Sequence, residues 1–406
     1  MISTPAEVTS ADGGRRILSA PLSRLPWVDH LRTFVIILVV NMHACVTYSH
    51  VGDWYFMSKN EPTLAAKVPF IIWQGHLQSF FMGLLFFVSG YLAYGSLARR
   101  GPDRFARDRL FRLGLPALFY TLAIHPFILL VLNPWNANFG PPGAFYLKYI
   151  TSGRFLRSTG PLWFAVALLI LSLLLALSRL VWSRPINERD ESTTQAAPGF
   201  TVAAPKVALV WTFAFALGLG TFAVRLIQPI GTNVLNMQLC FFVQYVAFFV
   251  CGLHAARHGW LLPLAAASCA RAAGWIALLC GPVVLLALMF FGMQNGKIEY
   301  FFGGWHWQAL GFALWEQFAG VGLSLGALAL FAHKLNLEDA LLRWLADRSF
   351  AVYVLHAPVI IALAMLFRGL PQNLYALVAL LTLTGLLASY LLADLFRRMP
   401  VFRSFL

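Results

Sequence analysis

Ten stretches of roughly 20 apolar residues constrain this chain more than any other feature, because a run of that length crosses a bilayer as a helix. Hydropathy places them near 27–48, 68–98, 112–133, 162–182, 206–227, 237–256, 272–292, 308–332, 349–367 and 373–394. The expected fold class is all-α: a polytopic integral membrane protein with about ten transmembrane helices. The composition agrees. Charged residues make up 11% of the 406 residues, against roughly 25% in an ordinary soluble domain. Hydrophobic residues make up 59%, and mean hydropathy is +0.71. A soluble globular enzyme, a disordered chain and a fibrous repeat are excluded on these grounds.

An even number of spans puts both termini on one side. Of the 30 Lys and Arg residues, 21 fall in segments on the side of the termini, eight fall on the other side, and Arg32 lies within the first span. Basic loops stay cytoplasmic, so both termini are expected in the cytoplasm. The parsing is then a cytoplasmic segment 1–26, a transmembrane domain 27–396 and a cytoplasmic tail 397–406. The net charge of +14 is read as this topology and its contact with anionic membrane lipid. With no soluble basic module, no nucleic-acid partner is expected. The polar opening segment lacks a small-residue cleavage site, so no cleavable signal peptide is expected. Residues 183–205 read as a flexible inner linker. Residues 134–160, rich in Gly, Pro, Asn and aromatics, read as an outer loop able to cover an outward-facing site. Cys45, Cys240, Cys251, Cys269 and Cys280 form no CxxC pair, so neither a disulfide framework nor a metal site is expected.

Ionisable groups inside a bilayer are costly and therefore informative. Arg32 and His43 are eleven residues apart in the first span, on one helix face and about 16 Å apart along the axis. Asp29 lies one turn before Arg32, and an interfacial ion pair explains those two residues alone. A lone His43 could be a satisfied interior histidine. As a buried neutral imidazole it also suits general-base catalysis on a hydroxyl. Gln74, His76 and Gln78 in the second span read first as helix–helix hydrogen bonding, and Ser89-Gly90 as close packing or close approach of a ligand. Arg99, Arg100, Arg104, Arg107, Arg109 and Arg112 follow. Topology explains their number, and a site for anionic phosphates explains the adjacency of Arg109 and Arg112 on one face. Glu316 stands alone in the eighth span, needing a partner, a proton or water. Structural pairing and help in orienting His43 or the acceptor are both open. Arg225, Gln238 and Gln244 are further polar candidates. For His356, packing and chemistry are equally open. Trp305-His306-Trp307 reads mainly as an interfacial aromatic belt.

The chain resembles the membrane acyltransferase-3 family, whose members O-acylate surface polysaccharides and periplasmic glucans. The resemblance rests on Arg32-x10-His43, Phe86-Phe87-Val-Ser89-Gly90-Tyr91, Arg109-Leu-Phe-Arg112-x3-Pro116, Gly160-Pro-Leu-Trp163-Phe164 and Phe350-Ala-Val-Tyr353-Val-Leu-His356-Ala-Pro358, in that order. It implies acyl transfer from a cytoplasmic acyl-CoA to a hydroxyl of an extracytoplasmic glycan, in the inner membrane of a bacterium. Acyl-CoA would be the donor substrate, with no permanently bound cofactor. The resemblance makes His43 the catalytic histidine and Arg32 its partner. It assigns Arg109, Arg112 and Ser89 to the donor; apart from the resemblance, Glu316, His76, Trp163 and His356 are candidate acceptor or supporting residues. Some family members add a hydrolase-like domain, and none is expected here. Two rivals stand beside this reading. A transporter or flippase would use the same intramembrane Arg, His and Glu residues as a pathway. A sensor or scaffold would keep the fold without the chemistry.

Overall fold

A computed structural model describes residues 25–132, 141–181, 205–294, 297–370 and 373–403. The expected linker at 183–205 and the segment 1–26 fall almost wholly outside these residues, as does part of the loop at 134–160.

The described chain is helical, with a single isolated bridge between Val234 and Met237 and no strand. Among the described residues, nine helical stretches are long and apolar enough to cross a membrane. They are α1 (Pro26–Ser49), α2 (Leu64–Leu132), α4 (Gly160–Val181), α5 (Val207–Arg225), α6 (Leu239–His258), α7 (Ser268–Gln294), α8 (Trp307–Lys334), α9 (Ala340–Gly369) and α10 (Leu374–Arg398). A shorter helix, α3, spans Pro142–Thr151. Their boundaries follow local chemistry. Pro26 opens α1, where its missing N–H costs nothing. Asp339 and Asn373 accept backbone N–H groups at the starts of α9 and α10, from Leu342 at 2.9 Å and Ala376 at 3.0 Å. Gly259 ends α6 in the left-handed region.

The stretch α2 reverses direction at Gly101 and supplies the second and third expected spans. Gly101 has φ 72° and ψ 164°, a backbone state that glycine adopts readily. Arg100 and Asp108 form an ion pair across the bend. The first limb starts beside α10, where Tyr375 Oη donates to Ala66 O at 3.3 Å. The second limb runs back until Tyr120 and His125 meet Tyr55 in the 50–63 loop. This second limb contains three wider π-type turns, at Leu110–Gly114, Tyr120–Ile124 and Ile128–Leu132. Pro126 has no N–H to offer the carbonyl four residues back. That carbonyl, on Leu122, instead accepts from Tyr146 Oη at 3.1 Å, and Thr121 O accepts from Tyr149 Oη at 2.8 Å. The outer-loop expectation for 134–160 is therefore refined, since its second half is the helix α3 tied to α2.

Two ends of the bundle are distinct. Asp29, Arg32, the Gly101 bend, Arg271, His333, Arg348, Asp394 and Arg397 gather at one of them, here the basic end. Arg271 meets His333 at 3.2 Å, Arg348 pairs with Asp394 at 2.6 Å, and Arg397 donates to Asp347 O. Small residues set the closest crossing. A Cβ on Gly90 would collide with the backbone of Phe249 in α6, and one on Gly252 with the backbone of Phe87 and Tyr91 in α2. Gly90 is thus a packing residue. Beyond α10, the turn Pro400–Arg403 seats Phe402 against Phe119 and Phe396, so part of the expected tail is packed.

Candidate active site

The uninterrupted helix α1 preserves the spacing read from the sequence. Arg32 lies at the basic end and His43 about 16 Å farther along. His43 sits in a stack of three rings. Trp54, from the loop after α1, lies 3.7 Å away, centroid to centroid, with the planes 16° apart. His356 of α9 lies at 5.3 Å and 19°. Trp54 and His356 are 6.4 Å apart at 13°. These separations put Trp54 over the face of His43 and His356 beside its edge. His43 Nδ1, Trp54 Nε1 and His356 Nε2 are all buried without a hydrogen-bond partner. Buried polar nitrogens are rarely left so, and three in one stack mark a place built for groups outside the chain.

The stack is held from several sides. His356 Nδ1 donates to Tyr353 O at 2.8 Å. Tyr353 Oη donates to Pro161 O, so the Phe350–Pro358 and Gly160–Phe164 motifs meet. Asn236 Nδ2 donates to Gly160 O at 2.9 Å and to Thr159 Oγ1 at 3.0 Å. Gly160 has φ 50° and packs against Tyr55 and Tyr120. Tyr55 Oη bonds His125 Nδ1 at 2.9 Å, and Tyr120 Oη donates to Tyr55 Oη at 3.2 Å. Burial raises the Tyr55 and Tyr149 hydroxyls above the usual phenol range, so both stay neutral. The 50–63 loop is fixed where it leaves α1, since Ser58 N donates to Thr47 O at 2.8 Å and His50 Nε2 meets Ser58 Oγ at 3.1 Å.

Two of the three expected donor residues, Arg109 and Arg112, converge at the basic end. Arg109 lies within electrostatic range of Arg32, Arg100 and Arg112, with Asp108 nearby. Its guanidinium sits 4.9 Å over the Phe105 ring. Arg32 is 3.6 Å from Asp29, and its side chain remains 41% exposed. The interfacial pair and the basic cluster therefore coexist, leaving a concentration of guanidinium groups facing few carboxylates. Ser89 is half-buried beside Gly90.

Other expected residues stand apart from His43. Glu316 pairs with Arg225 at 2.7 Å in the interior. Gln317 Nε2 donates to Glu316 at 3.3 Å, and Gln244 Nε2 donates to Gln317 Oε1 at 2.9 Å and Ser79 O at 2.7 Å. This chain of bonds ties α5, α8, α6 and α2. Glu316 thus has the partner that its burial demands. His76 donates to Ile72 O at 2.7 Å and abuts Trp315 edge-on, on the side of α7 and α8. Trp163 stacks on Tyr245 at 5.6 Å, and the Tyr245 hydroxyl accepts from Gln78 at 3.2 Å. Trp54, Tyr55, Tyr120 and His125 were not singled out from the sequence. The available signal was the run Trp54-Tyr55-Phe56 in an otherwise polar loop beside the end of the His43 helix.

Comparison with known proteins gives two kinds of match. Residues 25–394 match a family described as an acyltransferase domain. Glucans biosynthesis protein C of Salmonella schwarzengrund (strain CVM19633) is 26% identical over 248 residues, covering 59% of this chain and 60% of the relative. The protein of the same name from Salmonella heidelberg (strain SL476) is 25% identical over 248 residues, with the same coverage. The chain therefore spans about 60% of the length of these curated relatives. No solved structure matches significantly.

Proposed function

The chain belongs to the acyltransferase-3 family, and from that membership and the geometry above we propose that it is a membrane O-acyltransferase. It takes an acyl group, of acetyl or succinyl type, from cytoplasmic acyl-CoA and places it on a hydroxyl of an extracytoplasmic carbohydrate. The name of the relatives favours a glucan as acceptor. The observation that carries the reading is the stack of three partnerless ring nitrogens around His43, set on the same helix as the arginine that joins the basic cluster.

The chemistry follows from the parts. Arg109 and Arg112, with Arg32, hold the phosphates of the donor. The roughly 16 Å between Arg32 and His43 is a span that an extended pantetheine arm covers. His43 takes the proton of the acceptor hydroxyl while the hydroxyl oxygen bonds to the thioester carbonyl carbon. Charge develops on the carbonyl oxygen and needs an N–H donor. The partnerless Trp54 Nε1–H is such a donor beside His43. Collapse breaks the C–S bond, and the departing thiolate recovers the proton from His43. In this reading the basic end and both termini face the cytoplasm of a bacterium and the chain sits in its inner membrane.

The test is His43→Ala at equal membrane abundance, assayed with acyl-CoA and a glucan acceptor by mass spectrometry of the product. Transfer should fall by roughly 10²–10⁴-fold with folding and CoA binding retained. His76→Ala should cost far less. Near-normal transfer by the His43 variant would overturn the assignment.

A further inference from the structure

A histidine base works only if its second nitrogen is held in the right tautomer. In His43 that second nitrogen is Nδ1, which is buried and partnerless. The ring beside its edge is His356, which is fully buried. A carbonyl oxygen can only accept, so the 2.8 Å contact between His356 Nδ1 and Tyr353 O requires the proton to be on Nδ1. His356 Nε2 then carries a lone pair, and it too is buried without a partner. An unmatched ring nitrogen on His43 and an unmatched acceptor on His356 thus lie in adjacent, nearly coplanar rings with centroids 5.3 Å apart. Tyr353, which fixes the proton on His356, is itself anchored through its hydroxyl to Pro161 O.

We propose that His356 is the positioning residue of His43: its Nε2 accepts the Nδ1–H of His43, and this leaves His43 Nε2 bare to take the acceptor's proton. No hydrogen bond joins the two nitrogens in this structure; on this proposal it closes when substrate fills the stack, as catalytic hydrogen bonds commonly tighten with substrate bound. When His43 becomes the imidazolium, the same bond supports the charge, and no proton moves onto His356. The proposal rests on the reading of His43 as the base, and it accounts for two of the three partnerless nitrogens at once. The third, on Trp54, can only donate and stays available to the substrate.

Two variants of the full-length protein in lipid nanodiscs test it. His356→Leu removes the acceptor at similar size, whereas His356→Gln returns an amide oxygen near the position of Nε2. The Leu variant should lose about 10²–10⁴-fold in kcat, with KM for donor and acceptor unchanged. The Gln variant should recover most of that loss. A second readout is independent of activity: ¹⁵N-histidine NMR, with the His43 signal identified by its absence in His43→Gln. In the substrate-bound wild-type protein His43 should be the Nδ1–H tautomer, and in His356→Leu it should shift toward Nε2–H. An Nε2–H tautomer in the wild type overturns the proposal, as does a Leu variant with unchanged kcat and tautomer. If His43→Ala keeps its activity, the base assignment falls, while the tautomer measurement still decides whether His356 holds His43. If His356→Leu does not fold, the wild-type tautomer and the Gln variant decide.

Discussion

Replacing Glu316 with Gln separates a structural carboxylate from a catalytic one. The Glu316 side chain is 3% exposed, its partner Arg225 is 0% exposed, and they meet at 2.7 Å. Gln keeps the shape but removes the charge, leaving Arg225 as an uncompensated buried cation. Arg225 has nothing in reserve, because its Nε and Nη1 already lack partners. Removing one member of a buried pair costs about 3–5 kcal/mol. The rings of Phe241 and Phe312 lie 5.4 and 5.5 Å from the Arg225 guanidinium and offset part of this, since each such contact is worth about 0.5–2 kcal/mol. The expected loss is therefore about 3 kcal/mol, read as a clear drop in thermal unfolding midpoint in detergent. Activity per folded molecule should stay near wild type, because the hydrogen-bond partners of Glu316 are Arg225 and Gln317 rather than His43. Replacing both partners together, Arg225→Met with Glu316→Leu, should restore most of the stability. Normal stability with lost transfer in Glu316→Gln would refute the structural assignment and return the carboxylate to the chemistry.

Two further outcomes are expected. Arg109→Gln with Arg112→Gln should weaken CoA binding by at least tenfold, measured by titration, because charge-assisted bonds to phosphate are worth about 1.5–3 kcal/mol each; unchanged affinity would return both residues to topology alone. Gly90→Val should destabilise the bundle by about 1–3 kcal/mol in thermal unfolding, because its side chain would have to displace the backbone of Phe249; a wild-type melt would refute the role of Gly90 in the crossing of α2 and α6.

Much of this architecture was legible because hydrocarbon leaves few choices. Apolar run length alone located the spans, including the two that α2 joins through Gly101. The pairing of Asp29 with Arg32, and the adjacency of Arg109 and Arg112, followed from helical spacing. The joining of Arg32 to that basic cluster did not, since it depends on how α1 packs beside the Gly101 bend. The same limit hid the partner of Glu316. A buried carboxylate demands a cation, and Arg225 was visible as a polar candidate, but only packing of α5 against α8 brings them together. Trp54 was the least legible. An aromatic in a loop next to a span reads as an interfacial anchor, and its position over His43 comes from the fold-back of residues 50–58 along α1.

The two polar systems in the bundle interior differ in a way that bears on function. From Ser79 O through Gln244 and Gln317 to Glu316 and Arg225, each side chain answers another across four helices. Such a chain fixes helix register. Around His43 three ring nitrogens lie in adjacent rings and none is bonded. Other partnerless atoms occur, among them Arg225 Nε and Nη1 and the hydroxyls of Ser389 and Tyr390, but none of those belongs to the stack of rings at His43. In a low-dielectric interior an unmet donor or acceptor carries a cost of about 1–3 kcal/mol, which the proposed closure of the His43–His356 bond and an oxygen brought to Trp54 Nε1 would remove. A hydroxyl and a thioester carbonyl bring between them one donor and the acceptor oxygens that such a stack lacks. The four-helix network holds the helices through the bonds it does make, and the stack around His43 is where the proposed acyl transfer would take place.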